Sequence, residues 1–256
     1  MNKMNISRIL AMLLLCVAAS LVIGPARAAA SATFQNDSMW ISASGNLWIM
    51  CEVTNTGDVW LEYVKVTATL RDSASTIVDI IYGYTLVHYV SPAATVPLQM
   101  VEVDTAKSTQ VQSYSLIVSF RETPPIQQKL ALLNVADSKN AAGYLEVFGE
   151  VQNQADGPSA YTKVAGSFYD ETGKLVYVGY TYTDPNEVPP GATYPFKLTV
   201  FSAERSSKIT RYSLIAESMN SGYTSIPETP WPIVMLTAVL TLAIVAVRRK
   251  RTQLVS

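Results

Sequence analysis

Histidine and cysteine are scarce in this sequence, and their scarcity restricts the chemistry that we can expect of it. Among 256 residues there is one histidine, His88, close to Tyr84 and Tyr89 on a predicted strand. A histidine relay that activates a nucleophile also needs a serine or cysteine and a carboxylate around the imidazole. The common zinc and nucleotide motifs, CxxC, HExxH and a Gly-rich phosphate loop, are absent. These absences predict a protein that is not an enzyme and that has no cofactor and no metal.

The two cysteines cannot form a disulfide within the mature chain. Cys16 lies in a predicted leader and Cys51 on a predicted strand, so only one of them remains once the leader is removed. A reactive thiol needs a basic neighbourhood, whereas the residue that follows Cys51 is Glu52. We therefore predict that Cys51 is a small, buried apolar residue.

A basic surface is lacking as well. All 20 acidic residues lie between Asp37 and Glu228, whereas many of the 19 basic residues lie at the two ends of the chain. An acidic middle segment without a basic stripe argues against nucleic-acid binding and indicates a soluble surface. Four acidic residues that could be considered for calcium are not spaced as a ligand loop: Asp156, Asp170, Asp184 and Glu187.

The first 28 residues have the three parts of a secretory signal peptide. Lys3 and Arg8 give a positive start, residues 9–23 form an apolar run, and residues 26–28 (ARA) form an A-x-A cleavage site. We predict that residues 1–28 are removed on export. An uncleaved membrane anchor is the alternative.

The C-terminal end has the features of a membrane anchor. Residues 225–230 form a proline-containing stalk, and residues 231–247 form an uncharged, mostly apolar segment. Its length is near the short end of the roughly 17–25 residues that span a bilayer. Trp231 suits the membrane interface, and the basic tail 248–256 is expected to stay in the cytoplasm. The sequence thus predicts a single-pass protein of the cell membrane with the bulk of its chain outside the cell.

An internal repeat occupies the segment between these ends. When the sequence is laid on itself at an offset of 98 residues, the run YSLI at 114–117 falls on the run YSLI at 212–215. The same register holds without a gap over many other positions, which excludes a solenoid of short units. It predicts two copies of one domain, residues 29–124 (copy one) and 126–224 (copy two), separated at Pro124-Pro125.

Each copy has the strand pattern of a small β-sandwich. About six or seven short strands, rich in aromatic and β-branched residues, alternate with turn clusters such as Ser44-Gly45-Asn46. We predict an all-β chain of two tandem Ig-like β-sandwich domains, followed by one transmembrane α-helix. Trp40 and Trp48 flank the first turn. They either pair across their strands or serve as ordinary core aromatics, which we favour. Asp170 is expected to cap a turn of copy two with its side chain.

Four stretches of copy two carry a resemblance to a known family. They are residues 150–153 (EVQN), 164–170 (VAGSFYD), 173–176 (GKLV) and 189–196 (PPGATYPF). These stretches resemble the FxLYD family of small extracellular β domains. The resemblance implies an Ig-like fold outside the membrane in a prokaryote, and no catalytic residues. Copy one resembles the family less well, because it lacks the turn glycine and has Ala93 in place of Gly191.

The C-terminal end is similar to a second pattern. The stalk, the span and the basic end resemble archaeal surface-sorting signals of the PEF type, with Thr229 where that pattern has Phe. The resemblance implies an archaeal cell-surface protein. The departure at Thr229 leaves open whether the tail is cleaved and replaced by a lipid.

The candidate partner-binding residues are aromatic residues of copy one. Loops on a rigid sandwich usually carry recognition, and two loop segments differ between the copies. Aromatic residues around these segments are suited to anchor an interface: Trp60, Tyr82, Tyr84 and Tyr89. We predict that a binding surface lies on copy one and includes Trp60, with core packing of some of these rings as the alternative. Asn36 begins an Asn-x-Ser glycosylation sequon.

Two function classes remain open at this point. The first is a non-catalytic, cell-surface-anchored protein that binds a protein or glycan, or that serves structurally in the cell envelope. The second is an accessory subunit of a membrane complex that docks through its transmembrane helix. A stoichiometric membrane partner would favour the second.

Overall fold

A computed structural model gives the structure of residues 29–126 and 129–219. This part of the chain is all-β, with 59% strand and 5% helix arranged in several antiparallel sheets. The predicted leader 1–28, the predicted membrane span 231–247 and the basic tail lie outside the described residues. Neither of the two helices within those residues has the length and apolar character needed to cross a membrane.

Both copies follow the same order of elements, except that copy one has an additional two-residue strand, β5. Copy one comprises β1 (Ala32–Ile41), β2 (Leu47–Asn55), β3 (Trp60–Arg71), β4 (Ile77–Tyr84), β5 (Tyr89–Val90), β6 (Thr95–Glu102), α1 (Thr105–Ser108) and β7 (Ser113–Thr123). Copy two comprises β8 (Leu130–Lys139), β9 (Leu145–Asn153), β10 (Lys163–Tyr169), β11 (Leu175–Tyr182), β12 (Thr193–Thr199), α2 (Ala203–Lys208) and β13 (Arg211–Glu217).

These strands form four antiparallel sheets, numbered by the order in which they pack. Sheet 1 consists of β4, β3 and β5, with β7 also paired to β3, and sheet 2 has the order β1-β2-β6. Sheet 3 has the order β11-β10-β13, and sheet 4 has the order β12-β9-β8. Sheets 1 and 2 therefore belong to copy one and sheets 3 and 4 to copy two, and by the repeat sheet 3 corresponds to sheet 1 and sheet 4 to sheet 2.

A buried core lies between the two sheets of each copy. In copy one, Ile49 and Leu98 of sheet 2 belong to the same buried apolar cluster as Val66 of sheet 1. In copy two, Phe168 of sheet 3 packs against Val147 of sheet 4. Burial of such side chains contributes roughly 1.5–3 kcal/mol each, so each pair of sheets is held together mainly by this layer.

A third apolar layer joins the two copies. Met50 on the outer face of sheet 2 packs against Leu175 and Val178 of sheet 3, and Trp40 and Tyr169 belong to the same cluster. The outer face of sheet 2 is therefore covered by the outer face of sheet 3, and the four sheets form successive layers in the order 1, 2, 3, 4.

Backbone conformation repeats as strictly as the sequence does. All the described residues with positive φ fall into pairs that are 98 residues apart: Asn36 and Asn134, Gly45 and Gly143, Tyr63 and Tyr161, Ser75 and Gly173, Ala93 and Gly191. Left-handed backbone is easy for glycine and costs other residues energy. Ser75 and Ala93 thus hold conformations for which copy two uses glycine.

Several local predictions can be compared with these elements. The strands on either side of Ser44-Gly45-Asn46 are confirmed as β1 and β2. Trp40 and Trp48 are partners in the strand register, and their rings stack with centroids 5.9 Å apart. They pair across the strands, which is the reading that we did not favour, and Trp40 also packs against the apolar cluster around Met50. Cys51 is fully buried, as predicted, and burial raises its pKa to about 12.

The two short helices were not predicted from the sequence. They contain four and six residues, which is too short for a helical period to be visible. Their local signal is the N-cap, because the side chain of Asp104 accepts hydrogen bonds from the backbone of α1 and that of Ser202 from the backbone of α2. The buried Ser108 and Ser206 hydroxyls then bind the backbone of β2 and β9.

Candidate partner-binding sites

Trp60 lies in a groove where copy one meets the linker and copy two. It is the first residue of β3 and is half-buried. The groove has a volume of about 550 Å³ and is lined by Trp60, Val87, Tyr89, Ser91, Pro125, Ile126, Lys129, Ile215, Ala216 and Glu217. Its wall is mainly apolar, with one cationic and one acidic residue, so it fits an apolar group that carries a polar end.

Tyr89 forms a wall of this groove rather than an exposed anchor. Only 8% of the residue is exposed. The backbone N–H groups of Tyr89 and His88 donate to Oε1 of Glu217, at 2.9 and 2.5 Å. Because Glu217 ends β13, this carboxylate ties the loop after β4 of copy one to copy two.

The single histidine is packed among aromatic rings. The ring of His88 lies edge-on to Tyr63 and Tyr89, with centroids 4.9 and 4.6 Å away. Burial lowers the pKa of His88, because desolvation disfavours the charged imidazolium. At neutral pH the imidazole is therefore uncharged and contributes packing.

Tyr82 and Tyr84 lie on the outer face of sheet 1. They are 63% and 49% exposed, and their rings meet edge-to-face with centroids 6.1 Å apart. The ammonium of Lys65 lies 5.6 Å from the centre of the Tyr82 ring, within the range of a cation–π contact. The structure therefore separates the four predicted aromatics into two places, because Trp60 and Tyr89 line the groove and the other two lie on an open sheet face.

The tyrosine pair of sheet 1 has a counterpart in copy two. Tyr180 and Tyr182 also meet edge-to-face, at 5.8 Å, and Lys163 lies 5.3 Å from the centre of the Tyr180 ring. All three residues stand 98 positions after Tyr82, Tyr84 and Lys65. This arrangement is consequently a feature of the repeat and does not distinguish copy one. Trp60 does, because its counterpart is Pro158.

Asn36, the predicted glycosylation site, lies at the junction between the copies. Its Nδ2 donates to the carbonyl oxygen of Gly173 at 3.2 Å and to Oε2 of Glu52 at 3.3 Å, and its Oδ1 accepts from the N–H of Leu175 at 3.0 Å. A glycan would be attached to Nδ2, and would compete with both of the contacts that this nitrogen makes.

The polar residues that are shared by the copies are occupied with folding. Asn55 donates to the carbonyl oxygens of Val59 and Val90, at 2.8 and 3.0 Å, and Asn153 does the same for Gly157 and Val188. Both amides are buried and join two loops at one end of their sandwich. The recurrence of these residues in both copies is thus explained by backbone groups that need partners.

Asp170 has the role predicted for it. Its Oδ1 accepts from the N–H groups of Thr172 and Lys174, both at 2.9 Å. The hydrogen bonds from Thr172 and the turn backbone lower the pKa of Asp170, because they favour the ionised carboxylate. Within residues 29–126 and 129–219, no three His, Cys, Asp or Glu residues are grouped so that they could hold a metal ion.

Sequence reasoning missed the apolar outer face of sheet 1 as a whole. Besides the two tyrosines it presents Ile77, Ile80 and Ile117, which are 51%, 55% and 68% exposed. The residues of sheet 3 that correspond to Ile77 and Ile80 are covered by copy one. The repeat offset was the signal that could have found this face, because it shows which exposed residues have buried counterparts.

Comparison with known proteins adds only distant structural likenesses. The sequence matches no protein-family model, and no curated protein is significantly similar to it. One similar solved structure is a red sea bream transglutaminase, with 10% identity over 80% of this chain and a TM-score of 0.25. Another is an exo-chitosanase from Amycolatopsis orientalis, with 12% identity over 73% of this chain and a TM-score of 0.26. This chain spans 31% and 26% of those two chains.

Proposed function

We propose that this protein is a non-catalytic, surface-anchored protein of the cell envelope. In this proposal its two copies are tandem Ig-like sandwiches of the FxLYD type, carried outside the membrane on the C-terminal span. They act by binding a protein or glycan, or by building envelope structure. The leader, the stalk and the basic tail support the location.

The proposal that the protein is non-catalytic rests on the structural roles of its polar residues. Asn55 and Asn153 hold loops, Ser108 and Ser206 hold strand ends, and Asp170 caps a turn. A binding or scaffolding protein needs this kind of framework, since its polar residues fix the positions of the surfaces that contact a partner.

The groove at Trp60 is the surface proposed for a partner. Tryptophan in a partly enclosed, apolar site is a frequent energetic centre of an interface. Lys129 and Glu217 both line the groove, and the exposed Lys129 would supply a polar contact to the partner. The groove requires both copies, so the same surface is not present on residues 126–224 alone.

A pull-down from envelope extract tests this proposal. The full chain is expected to retain a partner, and Trp60→Ala is expected to lose most of it, with an unchanged melting curve. Tyr180→Ala, which removes an exposed ring elsewhere, is the matched control and should keep the partner. Equal capture by wild type and Trp60→Ala would contradict the site. A different result would favour the accessory-subunit alternative: a partner that binds in a one-to-one ratio, and that is lost when the predicted span 231–247 is removed.

A further inference from the structure

The contact between the two copies joins two different faces. The outer face of sheet 2 in copy one covers the outer face of sheet 3 in copy two. Sheet 3 is the counterpart of sheet 1, and sheet 2 is the counterpart of sheet 4. The outer faces of sheet 1 and sheet 4 are therefore left uncovered at the two ends of the stack of sheets in the described part of the chain. The face of sheet 1 corresponds to the sheet 3 half of the internal contact, and the face of sheet 4 corresponds to the sheet 2 half.

The apolar centre of the internal contact has counterparts on these uncovered faces. Internally, Met50 of sheet 2 packs against Leu175 and Val178 of sheet 3. The corresponding position of sheet 4 is Phe148, which is 40% exposed. The corresponding positions of sheet 1 are the half-exposed Ile77 and Ile80. All three counterparts are large and apolar, so the character of the contact is kept on both faces.

The polar bond at the centre of the contact has a charged counterpart. Internally, the hydroxyl of Tyr169 donates to Oε1 of the buried Glu52 at 2.5 Å. The counterpart of Glu52 on sheet 4 is Glu150, and that of Tyr169 on sheet 1 is Arg71. If sheet 4 of one chain lies on sheet 1 of another as sheet 2 lies on sheet 3, a guanidinium meets a carboxylate, and the two can form a charge-assisted pair.

Two further internal contacts also have polar counterparts. Asn36, which holds the turn of copy two, corresponds to Asn134, which also has positive φ. Lys163 donates to the carbonyl oxygen of Leu86 at 3.0 Å. The counterparts of these two residues are Lys65 and Asp184, so the lysine would meet a residue that carries a carboxylate. Arg71 and Lys65 of sheet 1 would therefore meet two acidic residues of copy two, Glu150 in β9 of sheet 4 and Asp184 in the loop after β11.

We propose that chains associate head to tail, with sheet 4 of one chain packed on sheet 1 of the next in the geometry that joins sheet 2 to sheet 3. The occupant of the exposed apolar face of sheet 1 is thus a second copy of this chain. Because the two faces differ, the contact is heterologous, and its repetition produces a ring or an open filament. The proposal rests on the internal packing and does not depend on the proposed location or on the Trp60 groove.

The contact between chains should be weaker than the contact within the chain. Trp40 and Trp48 on the outer face of sheet 2 correspond to Ser138 and Glu146 on sheet 4. Loss of two large rings removes apolar area, whereas the new charged pairs add attraction that salt screens. We therefore expect a reversible association that weakens as the salt concentration rises.

Cross-linking of the full chain in mild detergent tests the geometry. Chains with Phe148→Cys are mixed with chains with Ile80→Cys and treated with a short bis-maleimide. Adducts are expected in the mixture and not in either variant alone, since the faces that meet are different. Wild type gives the background, and Cys51 is buried and does not contribute. Adducts of Ile80→Cys with itself, or a mixture at the wild-type level, would overturn the proposal. Melting curves of both variants establish that they are folded.

A charge exchange provides a second measurement with the same adduct. Glu150→Arg on the Phe148→Cys chain places two guanidinium groups together and should lower the yield about fivefold or more. Arg71→Glu on the Ile80→Cys chain should restore it. A yield that Glu150→Arg does not change, or that the exchanged pair does not restore, would contradict the predicted pairing of the two faces.

Discussion

Tyr169 is the residue whose change tests the contact between the copies most sharply. Its hydroxyl bonds to Glu52, a carboxylate that is 4% exposed. Tyr169→Phe removes this donor and retains the ring. A hydrogen bond to a charged group contributes about 1.5–3 kcal/mol. Among the described residues, Glu52 then keeps only the longer bond from Asn36, at 3.3 Å, so we expect a loss of about 2 kcal/mol in the free energy of unfolding.

The assay is thermal unfolding followed by tryptophan fluorescence. Trp40 belongs to the apolar cluster between the copies, so its emission reports on this contact. For a folded unit of this size, about 2 kcal/mol corresponds to a decrease in Tm of about 4–8 °C. Tyr212→Phe is the matched control, because its hydroxyl bonds to Asp137 at 3.2 Å on the surface of copy two. We expect it to change Tm by about 1–2 °C at most.

The pH dependence of this difference has a defined sign. Burial, together with the hydrogen bond to Glu52, raises the pKa of Tyr169 from 10.0 to about 12. A raised folded pKa gives stability that is complete below the unfolded pKa and is lost as pH rises through the folded pKa. The stability difference between wild type and Tyr169→Phe should therefore shrink between about pH 10 and pH 12. An unchanged Tm for Tyr169→Phe at pH 7, or an effect no larger than that of Tyr212→Phe, would refute this account of the contact.

Three further predictions concern stability. Ala93→Gly should raise the free energy of unfolding by about 1 kcal/mol, and Gly191→Ala should lower it by about the same amount. Both positions have positive φ, and a Cβ at Gly191 would meet open space, so the difference comes from the backbone. Denaturant titration measures both changes, and changes of the same sign would contradict the argument. Asp170→Ala should lower Tm at neutral pH. The Tm difference from wild type should narrow as pH falls below 3.8, because a lowered folded pKa gives stability that is present above the unfolded pKa and is lost as pH falls through the folded pKa. A Tm difference that does not narrow on acidification would contradict this. Residues 29–124 and 126–224, expressed separately, should each give β-type circular dichroism and a cooperative melt. Their Tm should be lower than that of the full chain, because separation exposes the apolar layer that the copies share. Absence of structure in both would show that the copies depend on each other.

Much of the fold followed from two signals in the sequence. The alternation of apolar residues with turn clusters located most of the strands, because each sandwich buries one face of each sheet. The repeat offset located the copies, since equal residues recur where equal backbone is needed, as at Asn55 and Asn153. The short helices were not predicted because they contain less than two turns, and β5 was not predicted because it has only two residues.

The candidate sites followed much less well. Tyr82 and Tyr84 are exposed on a strand of sheet 1, and nothing in the sequence says that Trp60 and Tyr89 would face copy two. That arrangement depends on how one sandwich packs on the other, which is decided by shape and by contacts such as that of Tyr169 with Glu52. Residues that are distant in sequence make these contacts, and neither periodicity nor spacing reports on them.

The location of the copies is the central claim of the proposed function, and protease added to intact cells tests it most directly. With the leader removed and the basic tail inside, residues 31–225 should be digested while an antibody against the tail 248–256 still detects a short, membrane-bound fragment. A cytoplasmic protein is probed in parallel and should survive, which establishes that the cells are sealed. Full protection of residues 31–225 in those cells would contradict the proposed topology, and with it the role of the protein at the cell surface.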